Sequence, residues 1–280
     1  MPELPEVQAH AERLTDAFAG RPLTGFRALA FTALKTVSPA PDEAYGQPLI
    51  RVGRRGKYLL LEFEPITFVV HLMQGGRLVV DTKLAAKPRN GQARFTFDGD
   101  PPALLLTEAG TERRAGVWCV PTADVLTHPP LDALGPEATE VTPDELLVRF
   151  GERNQRVHGF LRDQRYIAGI GRRLANEVCH RARLSPFATT GKLTVDDATT
   201  IVDAIRAAVD EGLAVERERD DMSASKDRPG AVHGRTGEPC PVCADTVRAV
   251  EYSGYTVNYC PTCQTGGKVL ADNTTSRFLK

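Results

Sequence analysis

Cys240-Pro-Val-Cys243 and Cys260-Pro-Thr-Cys263 are two C-x-x-C pairs with 16 residues between them. That spacing predicts a zinc ribbon, and a chain without secretory features favours metal over disulfides. Four thiolates close a tetrahedral site and leave no open position, so the expected Zn2+, one per chain, is structural rather than catalytic. Residues 247–252 and 256–259 flank Ser253-Gly254 and predict a β-hairpin between the pairs. Cys119 and Cys179 stand singly in apolar runs and read as core.

Outward from this module, the remaining chain is long enough for more than one domain. The whole has 280 residues, 41 % hydrophobic and 25 % charged, the composition of a soluble globular protein. It holds no run of about 18 apolar residues and no basic-then-apolar leader, so a cytoplasmic protein with no membrane segment is expected. Formal net charge is −1, yet it is unevenly spread. Between Gly151 and Lys192, Arg153, Arg156, Arg162, Arg165, Arg172, Arg173, Arg181, Arg183 and Lys192 face only Glu152, Asp163 and Glu177. A basic stripe in a neutral protein is the electrostatic footprint of a phosphate-backbone binder.

Helices are expected at about 142–150, 156–165, 172–183 and 194–214, with Thr142-Pro-Asp-Glu145 as a capping box. Tyr166-Ile-Ala-Gly-Ile-Gly171 joins two of them as a tight apolar turn. That is the make-up of a two-helix DNA-binding unit whose second helix points its amides at a phosphate. Residues 216–229 are polar and aperiodic and predict a mobile loop. Residues 121–143, rich in Pro, Thr and acids, read as a link. Before them, residues 23–31, 58–63, 67–73, 77–81, 93–97, 103–107 and 116–120 read as short strands of an antiparallel sandwich. Arg51-Val-Gly-Arg-Arg-Gly-Lys57 reads as a basic turn leading into one of them. The expected division is 1–122 β-sandwich, 123–141 linker, 142–230 helical domain and 231–280 zinc hairpin, an α+β protein.

The chain opens Met1-Pro-Glu-Leu-Pro-Glu-Val7, followed by one amphipathic helix face formed by Leu4, Val7, Ala11, Leu14 and Phe18. A small second residue favours removal of Met1, which would leave Pro2 with a free secondary amine and a carboxylate next to it. An α-amino group titrates near pH ~8, so part of it is nucleophilic at neutral pH. Such an amine can attack an acetal carbon to give an iminium while the neighbouring acid protonates the leaving oxygen. A helix start with a first-turn acid accounts for the same residues without chemistry.

Taken in order, four pieces resemble the formamidopyrimidine-DNA glycosylase/endonuclease VIII family across essentially the whole chain. They are Pro2-Glu-Leu-Pro-Glu-Val7; Arg54-Arg-Gly-Lys57 with His71-Leu72 and Gly76; Ala168-Gly-Ile-Gly171 with Glu177 and Ser185-Pro186; and residues 234–240 through Cys260-Pro-Thr-Cys-Gln264. The resemblance implies an N-terminal β-sandwich with flanking helices, a helix-two-turn-helix region and a zinc-ribbon hairpin. It further implies a bifunctional DNA glycosylase and abasic-site lyase of base excision repair, acting on damaged, by expectation oxidised, bases with β- or β,δ-elimination. Pro2 would attack C1′, Glu3 open the sugar ring, Glu6 organise the amine and Lys57 bind the phosphate beside the lesion. Cys240, Cys243, Cys260 and Cys263 would hold zinc. DNA contacts are implied at His71, Met73, Gln74, Arg113, Arg114, His158, Arg172 and Tyr255. The partner is damaged double-stranded DNA, with single-stranded or abasic DNA also open; the protein would be a monomer of the bacterial cytosol and nucleoid.

Departures from the family pattern gather in DNA reading. Arg172 stands for the usual Asn after the glycine turn, His158 for a Lys, Tyr255 for the Arg at the hairpin tip and Ala115 for the Phe of the Arg-Phe wedge. Tyr255 exchanges a charged fork for a neutral ring, an expected loss of phosphate attraction. The smaller Ala115 withholds any inference about the opposite base. A damage- or junction-binding protein with little turnover is the alternative from another class, although binding alone needs no free terminal amine.

Overall fold

The computed structural model describes residues 1–110, 112–222, 227–252 and 254–270. They form two compact units, one of residues 1–134 with 216–222 and the other of 135–215 with 227–270.

The first unit begins with helix α1 (Leu4–Phe18) and continues with strands β1 (Leu23–Ala28), β2 (Arg51–Arg55), β3 (Tyr58–Glu62), β4 (Ile66–His71), β5 (Gly76–Val80), β6 (Gly91–Phe97), β7 (Ala103–Glu108) and β8 (Gly116–Pro121). They build two antiparallel four-stranded sheets, ordered β1-β6-β7-β5 and β2-β3-β4-β8. All seven strand-like runs are strands. The eighth, β2, takes most of the segment expected as a turn: Arg51–Arg55 pairs with β3 in register from Arg51↔Glu62 to Arg55↔Tyr58, and only Gly56-Lys57 remain to turn the chain. Gly56 has φ 56°, a conformation glycine adopts without strain.

Alternation explains which residues meet. Leu59, Leu61, Phe68 and Val70 face Phe95, Leu104 and Leu106 of the other sheet in one core. Leu60, Val69 and Val120 point the opposite way and are covered by Leu131, which is why β3 reads as an unbroken Leu run. Helix α1 adds Val7, Ala11, Leu14 and Phe18 to the main core.

Polar bonds then fix the angle of α1. The amide of Val52 donates to Thr15 Oγ1 at 2.9 Å, and Arg54 Nε donates to Gln8 Oε1 at 3.0 Å. His10 Nε2 donates to the Leu78 carbonyl at 2.7 Å, so the same helix is tied to β2 in one sheet and β5 in the other. Burial pushes the His10 imidazole down to about 4 from its ordinary 6.5, against the pull of the Leu78 carbonyl. The unfolded chain therefore takes up this proton at a pH where the folded chain does not. Stability is full above pH 6.5 and falls as pH drops toward 4. We expect His10 to account for about 2 kcal/mol of the loss in unfolding free energy between pH 7 and 5. Urea melts should register this share as a flatter pH slope in His10→Asn; an unchanged slope would mean that the imidazole is not held neutral.

The second unit carries α2 (Pro143–Glu152), α3 (Val157–Arg162), α4 (Arg172–Arg181), α5 (Val195–Arg217, its last residues grouped with the first unit), the hairpin β9 (Arg248–Tyr252) and β10 (Tyr255–Tyr259), and the short α6 (Pro261–Thr265). Thr142 Oγ1 accepts the Glu145 amide at 3.2 Å, and Glu145 returns a bond to the Thr142 amide at 2.9 Å, the expected capping box. Between α3 and α4, the Gln164 side chain stitches the turn by accepting from the Gly169 amide and donating to the Ile170 carbonyl. Gly169 sits at φ 103°, which a side chain would resist. Of the expected mobile loop 216–229, Glu216 and Arg217 end α5, Met222 packs into the first unit's core, and residues 223–226 lie outside those described. No helix among the described residues is long and apolar enough to cross a membrane.

Candidate active site and zinc centre

In the first unit, the chain enters α1 through the buried residues Pro2 and Glu3. Glu3 precedes the helix, and its amide donates to Glu6 Oε2 at 2.8 Å. Glu3, Glu6 and Lys57 are 2 %, 0 % and 5 % exposed, a burial that ionic side chains tolerate only with compensating charge. The charges converge on the α-amino group. Burial pulls the Met1 α-amine below its ordinary 8.0; Glu3 and Glu6 oppose the shift, and Arg77 and Lys57 add to it. His71, its ring tilted by 39° against Tyr58 with centroids 4.4 Å apart, is driven down to about 4 by burial and then by the Lys57 charge, so it is neutral at pH 7.

Met1, Met73, Gln74, Glu108 and Arg114 line one cavity of about 430 Å³. Met73 and Arg113 adopt positive φ of 53° and 43°, uncommon for residues with side chains. Gln74, Arg113 and Arg114 are exposed at the surface. Ala115, by contrast, is 1 % exposed and belongs to the main core. Its amide donates to buried Glu108 Oε2 at 2.6 Å, which ties down the base of the loop carrying Arg113 and Arg114. Sequence reasoning missed Arg77 and Glu108. The available signal was a charge closing an otherwise apolar strand, Ala103-Leu-Leu-Leu-Thr-Glu108.

In the second unit, Arg172 starts α4 and is exposed. His158 is different. It is 3 % exposed, and burial, with help from Arg162, pushes its imidazole down to about 3. It is neutral and packed inside the helical pair, so it brings no charge to a phosphate. Its ring lies parallel to Tyr255 at 6.3 Å.

The four C-x-x-C sulfurs come together behind the hairpin. Sγ separations are 3.3 Å for Cys243–Cys260, 3.5 Å for Cys243–Cys263 and 3.9 Å for Cys240–Cys263. These are far beyond a disulfide at about 2.05 Å and suit soft donors placed about 2.3 Å from one tetrahedral ion. His180 of α4 joins the cluster, its Nε2 3.3 Å from Cys240 Sγ, and its donor atom lies within 4.8 Å of those of Cys240, Cys260 and Cys263. The residues present fit a structural zinc. Glu177, one turn earlier on α4, accepts the amides of Ala231, Val232 and His233 at 2.7–3.1 Å.

Three family models match in chain order: the formamidopyrimidine-DNA glycosylase N-terminal domain over residues 1–116, the formamidopyrimidine-DNA glycosylase H2TH domain over 133–224, and the zinc finger found in FPG and IleRS over 237–266. A formamidopyrimidine-DNA glycosylase of Chloroflexus aurantiacus is 33 % identical over 282 residues, covering 94 % of this chain and 98 % of the relative. An uncharacterized formamidopyrimidine-DNA glycosylase-like protein of Mycobacterium tuberculosis is 44 % identical over 157 residues, 53 % of this chain and 95 % of its own length. Among solved structures, MutM (Fpg) from Thermus thermophilus superposes with a TM-score of 0.81 at 28 % identity, covering 96 % of this chain and all of that one. The chain belongs to the formamidopyrimidine-DNA glycosylase family.

Proposed function

We propose that this protein is a base excision repair DNA glycosylase with abasic-site lyase activity, and that Pro2 is its nucleophile. The observation that carries the reading is the burial of Glu3, Glu6 and Lys57 at the start of the chain, beside the nitrogen of Pro2. Once Met1 is removed, the Pro2 nitrogen is a secondary amine next to Glu3, and an α-amino group is in part unprotonated at neutral pH. Its lone pair forms a bond to C1′ of the damaged nucleotide, the glycosidic bond breaks with its electrons leaving on the base, and the proton shed by the nitrogen ends on that base. Glu3 gives a proton to the ring oxygen, the C1′–O bond opens, and an iminium remains between Pro2 and C1′. That iminium acidifies C2′. Loss of the C2′ proton expels the 3′ phosphate and cuts the strand, and water then releases the amine. Glu6, bonded to the Glu3 amide, keeps the turn that presents Pro2, and Lys57 holds a phosphate beside the lesion.

Damaged double-stranded DNA is the partner, with contacts from His71, Met73, Gln74, Arg113, Arg114, Arg172 and Tyr255 and with the base flipped out to reach the amine. With Ala115 in the core, the exposed Gln74, Arg113 and Arg114, together with Met73, are the residues that would fill the gap left by the flipped base. Residues 1–122 carry the chemistry, 123–141 link it to the helical DNA-binding domain 142–230, and 231–280 form the zinc hairpin. Cys240, Cys243, Cys260 and Cys263 hold one zinc, with His180 donating to the Cys240 thiolate. The protein acts as a monomer in the cytoplasm at the nucleoid.

Borohydride reduction tests the reading. Protein whose mass confirms a Pro2 terminus should form a covalent adduct with abasic-site DNA, and protein with a tag ahead of Pro2 should not. Absence of adduct from the correctly processed form rejects the assignment.

A further inference from the structure

We propose that His180 is a reserve zinc ligand, which takes the fourth position beside Cys240, Cys260 and Cys263 when the Cys243 thiolate is lost. The proposal rests on the zinc reading above.

More donors gather here than one ion needs. Those of His180, Cys240, Cys260 and Cys263 lie within 4.8 Å of one another, so a full set of four exists without Cys243. Cys243 completes a second set, its sulfur 3.3 Å from that of Cys260 and 3.5 Å from that of Cys263. Zinc takes four ligands, and its filled d shell gives it no geometric preference between four sulfurs and three sulfurs with an imidazole. While Cys243 serves, His180 Nε2 donates to Cys240 Sγ at 3.3 Å, so the ring already points at the cluster.

Exposure separates the two competitors for the fourth position. Cys243 is exposed together with its neighbours Pro241, Val242 and Ala244, whereas Cys240, Cys260 and His180 are buried. An exposed thiolate is the one an electrophile reaches first. His180 is also held in place. Glu177, one turn earlier on α4, accepts three amides at the hairpin entrance, and Gln264 of α6 accepts the Cys260 amide while donating to the Leu184 carbonyl just beyond α4. These bonds keep α4, and the imidazole on it, against the sulfurs. Room for the ring to turn is at hand, because His180 and Cys263 line a cavity of about 240 Å³ with Ala231 and Val242. Cys260 belongs to both sets, so its loss leaves three donors in either.

The test titrates the whole chain with Co2+, whose visible absorption reports the ligands, and counts the zinc each variant retains. Cys243→Ala should still bind metal, with the weaker sulfur-to-cobalt band expected of three sulfurs and one nitrogen. His180→Gln keeps an N–H for the Cys240 sulfur but offers zinc a poor ligand. Alone it should weaken metal binding by less than about tenfold, and in the Cys243→Ala background by more than about a hundredfold. Cys260→Ser should lose the metal whichever residue stands at position 180. N-ethylmaleimide gives a second readout: the Cys243 sulfur bonds to one alkene carbon and a proton goes to the other. Wild type carrying this adduct should keep its zinc, and His180→Gln carrying it should release zinc to a chelating dye. Where the double variant does not fold, X-ray absorption at the zinc edge of Cys243→Ala carries the test, through the presence of imidazole scattering. The proposal fails if that scattering is absent or if Cys243→Ala binds no metal. It fails equally if metal is held as tightly with Gln as with His at position 180, as a water ligand would give. Wild type that binds neither Co2+ nor zinc instead overturns the zinc reading itself.

Discussion

Glu3→Gln should lose 10²- to 10⁴-fold in single-turnover cleavage of a lesion-containing duplex, roughly the span that general acid catalysis supplies. Glutamine has the shape of the glutamate it replaces and keeps a carbonyl oxygen before the first turn of α1, so folding should be little affected. What it lacks is a proton to give to an opening sugar ring. DNA affinity should stay within a few-fold of wild type, which separates this variant from one that has lost its binding surface. Because Glu3 is 2 % exposed, bulk water is poorly placed to replace the missing acid. A loss smaller than tenfold would assign the proton to another group, and Glu6 would be the next to examine.

Zinc removal should act on the other unit. Cys260 is fully buried and packs with Val232, Val247 and Cys240 in a small cluster that has little else at its centre. Structural zinc in finger peptides is worth about 10–16 kcal/mol, far more than so small a core supplies. In Cys260→Ser, or after chelation, the β9–β10 amides should lose their hydrogen-exchange protection and DNA binding should fall by more than a hundredfold. The amides of β3, β4 and β7 in the first unit should exchange as before. Equal loss of protection in both places would show that the two units do not fold separately.

What the sequence made legible followed from periodicity and spacing. Alternation exposed seven strands, the capping box fixed the start of α2, and two C-x-x-C pairs announced the metal. Strand β2 was missed because its outward residues are arginines and its centre is Gly53, which together resemble a loop; only pairing with β3 makes it a strand. The catalytic cluster was legible as residue types, yet the converging charge on the amine was not, since Arg77 reaches it from a strand that looked ordinary. The DNA-reading residues were the least legible. Nothing in the string His158 or Tyr255 says that one ring is buried and neutral or that the other gathers Arg162 and Arg172 from two different helices. Those facts depend on contacts between segments about 80–100 residues apart.

The carboxylate of Glu177 bears on how such a module could be moved between proteins. Three consecutive amides at the entrance to the zinc hairpin end on this one side chain, and His180, on the next turn of the same helix, reaches a metal-site sulfur. A finger grafted from a relative as residues 231–270 alone would arrive with three donors unanswered. Each would cost about 1–3 kcal/mol once buried. The smallest transplantable piece is therefore the hairpin together with α4, and recombination between family members that cuts in the 218–230 stretch should succeed only where the acceptor helix already presents a glutamate at that turn.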